Sequence, residues 1–398
     1  MPDQTLRRAR AGLTQVIEPA DGLGVLASQI WGPNRLIEII AGKTPNQQDW
    51  KALADHDAGD GQLTKTLRNH FGSAIERWRR RRKYLKPDQA LHYIASIGGW
   101  FMTPEDEHWP SALADLGVTE PLGLWGIGEG DVPPAERMLS LVGSREATIY
   151  GETATAMLAK KARQHGVTVL SGGAYGIDAE AHRAALSVSG HGIPTIAVLA
   201  GGLDQLYPAG NRDLLRRIAT NGLLIAEMPP GMRPNRYRFL NRNRIIAALS
   251  SATIVVEARY RSGALNTAHH AHDLSRFVGA VPGPINVPNS AGCHRLMKET
   301  PTMLIDDPTD LEDLFGESFK PTDTAQSPEH QRVYDVLDVE EMLVFDALPV
   351  QSRTTSTHLC GITGLSVPTI SGILTKLERH ALAEHNAHGW RKHPDTNR

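Results

Sequence analysis

The pattern of apolar and polar residues changes twice along the chain. From about residue 5 to 95, apolar residues recur at helical spacing, as at Leu36, Ile39 and Ile40, with Gly or Pro between the stretches. Between about 96 and 317, short β-rich runs alternate with helical stretches, and beyond a polar linker helical spacing returns. The pattern predicts a helical domain over 1–95, an α/β domain over 96–317, a linker over 318–329 and a small domain over 330–398.

Six β-rich runs define the middle region: MLSLVG, VTVLSGG, PTIAVLAGG, GLLIAEM, ATIVVEA and FVGAVPG. Helical stretches such as GETATAMLAKKARQHG lie between them, which is the order of consecutive βαβ units. We therefore predict an α/β fold with a Rossmann-like, doubly wound parallel sheet and helices on both faces. Such sheets bind ligands beyond the carboxyl ends of their strands, so the residues after each run are the candidates for a site.

The segments that follow these runs are rich in glycine. Gly143-Ser144-Arg145 follows the first run, SGGAYGID at 171–178 follows the second, and Arg261-Ser262-Gly263 follows the fifth. Glycine is common after a strand because tight turns need positive φ, but repeated glycine loops at one sheet edge indicate a site, and backbone N–H groups there favour phosphate. Neither G-x-G-x-x-G after a strand nor G-x-x-x-x-G-K-[ST] occurs, so we expect phosphate contacts without a cofactor.

Positive charge is concentrated locally in a chain whose net charge is only -2. RYRFLNRNRII, residues 236–246, holds four arginines and no acid, and it lies between two of the predicted strands. We expect this segment to form a wall of a phosphate groove. Phe239 is either a stacking platform for a base or an anchor in the core, and Arg244 binds either phosphate or a carboxylate of Glu227 or Glu257.

The N-terminal domain, for which we expect an all-helical fold of the SAM or helix-hairpin-helix kind, ends in a second basic run. This run, RWRRRRKYLK at residues 77–86, contains seven Lys or Arg. A run of this kind is typical of a solvated helix face. The alternative is an auxiliary patch that contacts phosphates without recognising sequence.

Motifs for catalysis and metal binding are missing from the sequence. There is no G-x-S-x-G and no H-E-x-x-H, and the only two cysteines are far apart. His269, His270 and His272 are too close together on a predicted helix for all three to face one ion. His182, at i+4 from Asp178, is either structural or phosphate-contacting, or else an acid–base residue. We predict a cytoplasmic protein without metal, secretory signal or membrane span.

The C-terminal region begins with QRVYDVL and continues with EEMLVFDAL. A helix, a turn at Gly364, a second helix with Ile370, Ile373, Leu374 and Leu377, and a β-like tail then predict a winged helix-turn-helix. The exposed positions of the second helix are mostly uncharged. The pattern therefore favours a protein-interaction or weak DNA-binding role over recognition of a duplex sequence.

Several motifs, in order and at similar spacing, resemble one known family. VGSREATIYG, LSGGAYGIDAEAHRAAL, GGLDQLYPAGNRDLL, AEMPPGMRPNRYRFLNRNRIIAALSSATIVVEARYRSGALNTA and AVPGPINVPNSAGCHRLMKE resemble the DprA/Smf family, DNA-processing protein A of bacteria. The resemblance extends over about residues 101–314. The chain departs from the family at Leu240-Asn241, because the family usually has a proline after the phenylalanine.

The resemblance implies a protein that binds single-stranded DNA without sequence preference and forms a two-fold homodimer. It also implies a recombination mediator that protects single strands and loads the RecA-type recombinase, as in natural transformation. The site residues that we expect on DNA, carried over by motif or taken from the basic segment, are Ser144, Arg145, Ser171, Gly172, Gly173, Gly176, Arg236, Arg238, Phe239, Arg242, Asn243, Arg244, Arg261, Ser262 and Gly263.

An enzyme or sensor for a nucleotide phosphate is the alternative function. Related Rossmann-like folds include nucleoside-monophosphate phosphoribohydrolases, whose P-G-G-x-G-T loop and nearby catalytic glutamate correspond here to SGGAYG and EMPPGM. For the leading function we expect Arg145→Ala and Arg242→Ala to weaken oligonucleotide binding with little change in thermal stability.

Overall fold

The computed structural model describes residues 3–57, 65–315, 337–386 and 389–394. It contains two compact units, Met1–Asp323 and Thr324–Arg398. In the described part of the first unit, nine strands form one sheet. They are β1 (Gly99–Met102), β2 (Leu124–Ile127), β3 (Met138–Val142), β4 (Thr168–Ser171), β5 (Thr195–Leu199), β6 (Leu223–Ala226), β7 (Ala252–Val255), β8 (Phe277–Ala280) and β9 (Met303–Leu304).

The six predicted strands are confirmed as β3 to β8, and all neighbours among them are parallel. Both faces of this sheet are covered, as the apolar runs require. In β3, Leu139 and Leu141 belong to one buried cluster, whereas Met138 and Val142 belong to another. Because alternate side chains of a strand point to opposite faces, the two clusters lie on opposite sides of the sheet. The fold is the predicted Rossmann-like α/β arrangement.

The strands β1 and β2 extend this sheet in a way that the sequence pattern did not predict. They pair with each other antiparallel, and β2 pairs antiparallel with β6. Each has four residues, GWFM and LWGI, with a glycine and no clear alternation. Packing between large aromatic rings supports them instead, because the rings of Phe101 and Trp125 lie with centroids 4.3 Å apart.

The helices of the first unit follow the chain order expected from the sequence. They are α1 (Gln4–Val16), α2 (Gly22–Trp31), α3 (Pro33–Ala41), α4 (Gln47–Asp57), α5 (Lys65–Arg80), α6 (Pro87–Ser96), α7 (Ile149–Gln164), α8 (Ile177–Ser187), α9 (Arg212–Asn221), α10 (Arg236–Leu249), α11 (Gly263–Asp273), α12 (Ala291–Glu299) and α13 (Asp310–Phe315).

The N-terminal helices share a core with the sheet. Ala11 of α1 and Ile94 of α6 are buried in the same cluster as Leu199 of β5 and Ala226 of β6. The indole N–H of Trp125 also donates to Thr14 Oγ1 at 3.3 Å. The helical region and the sheet therefore form one compact unit, and a domain boundary at residue 95 stays a prediction.

The strand order is β1-β2-β6-β5-β4-β3-β7-β8-β9. From β3 the chain proceeds outward in one direction to β6, then returns to place β7 on the other side of β3. The order therefore reverses between β3 and β7. Their carboxyl-terminal segments are joined directly, since Ser144 N–H donates to the carbonyl of Glu257 at 2.7 Å. Crevices at such a reversal are where ligands of open α/β sheets bind.

The described part of the second unit contains three helices, α14 (Val339–Ala347), α15 (Ser356–Thr363) and α16 (Val367–Arg379), and a hairpin of β10 (Ala383–Asn386) and β11 (Gly389–Lys392). A cluster around Phe345, Leu359 and Leu374 forms its core. This element order is that expected of a winged helix, and the winged-helix assignment stays a prediction.

Two sequence-based expectations fall outside the described residues. They are the linker at 318–329 and nearly all of the helix predicted at QRVYDVL. No single described helix is both long and apolar enough to cross a membrane, although the bent pair Ser356–Thr363 and Val367–Arg379 together meets the length and composition criteria.

Candidate nucleic-acid interface

A pocket of about 390 Å³ lies at the strand-order reversal. Its walls come from the segment after β3, the segment after β7 and one side of α10, which are the places where the sequence analysis located the basic and glycine-rich motifs. Eight of the expected site residues line it, namely Ser144, Arg145, Phe239, Arg242, Asn243, Arg261, Ser262 and Gly263. We call this cavity the pocket.

The pocket has an excess of available positive charge. Arg145 and Arg261 are exposed, and within the described part of the chain neither has a carboxylate within 4 Å. Arg259, a third lining arginine that the sequence analysis did not select, pairs with Glu146 at 2.7 Å. Arg145 and Arg261 are therefore the two cations free to contact an anionic ligand at the rim.

Phe239 places an aromatic face beside these charges. The guanidinium carbon of Arg145 lies 5.0 Å from the ring centroid of Phe239. The ring of Tyr207 also packs near Phe239, with ring centroids 5.9 Å apart and planes inclined at 57°. Phe239 is half-buried and lines the pocket. A ring held by a cation and a second aromatic, and still accessible, is suited to stacking on a base.

The segment RYRFLNRNRII is helical from its first residue, because it opens α10. The side chain of Asn235 accepts from Arg238 N–H at 2.9 Å and caps the helix. In a helix, residues three or four positions apart share a face, and Phe239, Arg242, Asn243 and Ile246 accordingly face the pocket. The other arginines of the segment point elsewhere.

Arg238 and Arg244 do not line the pocket, contrary to expectation. Arg238 is buried against the loop after α1, where Nε and Nη2 donate to the two carboxylate oxygens of Glu18 at 3.0 and 2.8 Å. Arg244 is buried too and donates to both carboxylate oxygens of Glu227 at 2.9 and 2.8 Å. Of the two partners considered for Arg244, Glu227 is correct, since the carboxylate of Glu257 accepts from Thr148 instead.

Arg242 reaches the floor of the pocket but is only 6% exposed. It donates to the carbonyl oxygen of Val198. Burial lowers the pKa of Arg242 to about 10, against the opposing charge of Asp178, and burial raises the pKa of Asp178 against the charge of Arg242. Removing Arg242 would strip a buried carboxylate of a compensating charge, so the expectation that Arg242→Ala leaves stability unchanged is not supported.

Gly172 and Gly176 of the loop after β4 pack against residues that line the pocket but do not line it themselves. A side chain at Gly172 would collide with the guanidinium of Arg242. Gly176, at φ 70°, caps α8 and packs against the carbonyl of Ser144. Ser171 is fully buried and donates to the carbonyl of Leu141 at 2.6 Å. These residues, with Gly173, position the pocket rather than line it, and Arg236 lies on the exposed first turn of α10 outside it.

The N-terminus of α11 opens into the pocket. Ser262 is the N-cap, and its hydroxyl accepts from Ala264 N–H at 3.3 Å. Asn243 of α10 donates to the carbonyl of Gly263 at 3.2 Å and holds this turn in place. The first backbone N–H groups of a helix carry partial positive charge, which adds to that of the lining arginines.

The structure gives no catalytic or metal-binding arrangement, within the described residues, for the histidines that the sequence analysis singled out. His182 is completely buried, its Nδ1 lies 2.7 Å from Thr195 Oγ1, and burial lowers its pKa to about 3. Of the two interpretations of His182, the structure favours the structural one. In the described residues no group of three or more His, Cys, Asp or Glu is arranged to hold a metal ion, including the cluster on α11.

The second basic run is partly neutralised. Arg77 pairs with Asp21 at 2.7 Å, Arg81 pairs with Glu18, and Arg79 donates to the carbonyls of Ile39 and Lys43. These contacts tie the run to the N-terminal helices, while Arg80, Arg82 and Lys83 remain exposed.

Comparisons with known proteins show the family to which the chain belongs. The family model described as DNA recombination-mediator protein A matches residues 100–316, more than half of the chain. The chain belongs to the DprA/Smf family. A DprA protein of Mycobacterium tuberculosis is 40% identical over 344 residues, which are 83% of this chain and 85% of that protein.

Solved DprA structures share the fold. The crystal structure of DprA from Streptococcus pneumoniae matches with a TM-score of 0.55 and 29% identity, over 70% of this chain and 96% of that one. A Helicobacter pylori DprA structure, reported for its single-stranded DNA binding mode, matches with a TM-score of 0.50 and 27% identity, over 55% of this chain and 97% of that one. The DprA/Smf match covers both strands that border the pocket.

Proposed function

We propose that this protein binds single-stranded DNA without sequence preference, through the pocket at the strand-order reversal. The observation that carries the proposal is the combination of two exposed arginines without a carboxylate partner in the described part of the chain, Arg145 and Arg261, with the half-buried ring of Phe239 in the pocket lining. Cations that follow phosphates and a ring that stacks on a base are the two requirements for binding a single strand of any sequence. The single-stranded DNA binding reported for the Helicobacter pylori relative supports the same assignment.

Within this proposal the protein is not an enzyme. The alternative, a nucleotide-phosphate enzyme related to phosphoribohydrolases, would need a free glutamate in the EMPPGM segment. Glu227, the glutamate of that segment, is instead held by both terminal nitrogens of Arg244 and does not line the pocket. Glu146 and Asp178, the carboxylates that do line it, face Arg259 and Arg242 respectively.

We further propose the role of a recombination mediator that protects single strands and loads a RecA-type recombinase, in natural transformation or a related process. Membership of the DprA/Smf family supports this role. We also propose that the protein acts as a homodimer, as the resemblance to this family implies. We place the protein in the cytoplasm, because both cysteines, Cys293 and Cys360, are free and suit a reducing compartment.

The direct test is binding of fluorescent oligo-dT at increasing salt. Single-strand binding predicts that log Kd rises with log salt, by about 0.7 per phosphate contact. Arg145→Ala should weaken binding and lower this slope by about that amount, because Arg145 is exposed and supports no other described side chain by an ion pair.

Arg217→Ala is the matched control, since Arg217 is an exposed arginine that lies outside the pocket. It should leave both affinity and slope unchanged. Absence of binding at low salt, or an affinity that does not respond to salt, would contradict the proposal. Equal affinity for oligo-dT and oligo-dC is expected, and a strong preference for one of them would contradict the lack of sequence preference.

A further inference from the structure

A second cavity of about 790 Å³ lies on the same sheet edge as the pocket, beyond β5 and β6. We call it the side groove. Its lining includes Tyr93, Tyr207, Arg212, Arg216 and Arg233. The sequence analysis assigned no individual role to any of these residues, although Tyr207, Arg212 and Arg233 lie within motifs that it quoted. None of these residues belongs to the pocket.

The side groove has the same two chemical components as the pocket. The side chains of Tyr93 and Tyr207 are 42% and 51% exposed, so neither ring is simply part of the hydrophobic core. Arg212 and Arg233 are exposed, and among the residues that the structure describes neither has an acidic partner within 4 Å. Arg216 has only the exposed neighbour Asp213, at 3.1 Å. The lining also includes one carboxylate, that of Asp204, which accepts from Gly231 N–H at 2.8 Å. Cations and aromatic faces therefore predominate in the lining.

The side groove adjoins the pocket. Phe239 lines the pocket, Tyr207 lines the side groove, and their ring centroids are 5.9 Å apart. This distance is within the range of packed aromatic pairs. A DNA strand that leaves the pocket over Phe239 would therefore reach Tyr207 next.

We propose that the side groove binds the continuation of the same DNA strand, with bases against Tyr207 and Tyr93 and phosphates against Arg212 and Arg233. This inference rests on the proposed function, because the strand enters the side groove from the pocket. Single-strand sites combine a cationic groove with successive aromatic platforms, and the side groove supplies both next to the first platform.

The proposal also gives the N-terminal helical region a part in DNA binding. Tyr93 belongs to α6, whose other face is buried against the sheet through Ile94. Tyr93 is therefore held at the side groove by a helix that is packed into the core of the unit. The helical region would contribute one platform directly, in addition to supporting α10.

The test measures how affinity for oligo-dT depends on its length, with the full chain and lengths from about 4 to 16 nucleotides. Wild-type protein should bind the shortest oligonucleotides through the pocket and gain affinity as the strand becomes long enough to occupy the side groove. In Tyr93→Ala the gain with length should fall by about fivefold or more, while binding of the shortest oligonucleotides stays unchanged. Arg212→Ala should lower the salt slope by about 0.7 for long oligonucleotides only.

Two controls accompany these variants. Tyr93→Phe keeps a stacking ring and should retain the gain, which separates stacking from a general change at this position. Arg217→Ala removes an exposed arginine of the same helix as Arg212, outside the side groove, and should behave as wild type. Thermal unfolding of each variant checks that it folds. Because Tyr93 and Arg212 are exposed, replacing them should leave the melting temperature close to that of wild type.

The outcomes separate the two proposals. If short oligonucleotides bind but Tyr93→Ala and Arg212→Ala keep the full gain with length, the side groove is not a DNA site, and the proposed function stands. The same conclusion follows if the affinity does not grow with length at all. If no oligonucleotide binds at any length, the proposed function fails and the side-groove inference fails with it.

Discussion

Arginines of one short segment have different environments. Arg242 is buried under the pocket beside Asp178, Arg238 is paired with Glu18, and Arg236 is exposed on the first turn of α10. The sequence showed that positive charge is concentrated at residues 236–246, but it did not show which side chains meet an acid. That depends on contacts with distant residues, such as Glu18, 220 positions away from Arg238.

At the residue scale, His182 predicts a measurable pH dependence. Its folded pKa, lowered to about 3 by burial, is well below the value of about 6.5 for an unfolded chain. The folded state therefore holds the neutral ring, and the stability that this residue contributes is present above pH 6.5 and lost as the pH falls toward 3. The loss should approach about 1.4 kcal/mol per pH unit within that range.

Urea denaturation between pH 7 and pH 5 checks this expectation. His182→Gln should remove the part of the pH slope that comes from this residue, while His92→Gln, at an exposed position on α6, should leave the slope as it is in wild type. A pH slope that is the same in His182→Gln as in wild type would contradict the buried neutral ring.

At the element scale, the sequence predicted the parallel strands but gave no prediction that residues 236–249 form the helix α10. Apolar runs such as those of β3 and β5 are buried on both faces. A strand that is apolar throughout is stable mainly in the interior of a sheet that is covered on both sides. In α10, by contrast, polar residues alternate with apolar ones without a clear helical stripe, because several of its arginines are buried through specific partners. A helix whose buried face contains charged residues cannot be recognised from hydrophobic spacing.

The loop after α1 holds α10 in position and gives a second prediction. Burial alone would raise the pKa of Glu18, but hydrogen bonds and charges from Arg238 and Arg81 outweigh it and lower that pKa. Glu18→Gln should therefore reduce the free energy of unfolding by about 1–2 kcal/mol at neutral pH. This range already allows for solvent screening, because the Glu18 side chain is one third exposed. The difference from wild type should shrink as the pH falls through the pKa of Glu18.

Glu299→Gln is the matched comparison in urea denaturation, because the side chains of the Arg295–Glu299 pair are 34% and 53% exposed, against 8% and 33% for the Arg238–Glu18 pair. It should cost less than about 0.5 kcal/mol. Equal unfolding midpoints for the two variants would show that the contact between Glu18 and α10 adds no stability beyond that of a surface ion pair.

At the scale of the whole molecule, every residue of the pocket and of the side groove belongs to the first unit. The C-terminal unit has its own core around Phe345, Leu359 and Leu374. Its three helices and hairpin were foreseen in their order, since helical spacing and the turn at Gly364 are local signals. The antiparallel pair β1 and β2 was not foreseen, because aromatic packing across the sheet edge, and not an alternating pattern, supports it.

A chain that ends after Asp323 is therefore expected to keep its affinity for oligo-dT within about twofold of the full chain. Fluorescence anisotropy on the two proteins at the same salt concentration provides the comparison. Arg145→Ala in the shortened chain should weaken binding as it does in the full chain. A large loss of affinity on truncation would assign part of the DNA contact to the C-terminal unit.

The pairing of Glu18 with Arg238 also bears on how the protein is made. The two residues are 220 positions apart, so a ribosome that adds about 5–20 residues per second produces Arg238 roughly 10–45 s after Glu18. The N-terminal helices thus have time to fold before α10 leaves the exit tunnel. The carboxylate of Glu18 is therefore already synthesised when the arginine-rich helix leaves the tunnel, and Arg238 can pair with it as α10 folds.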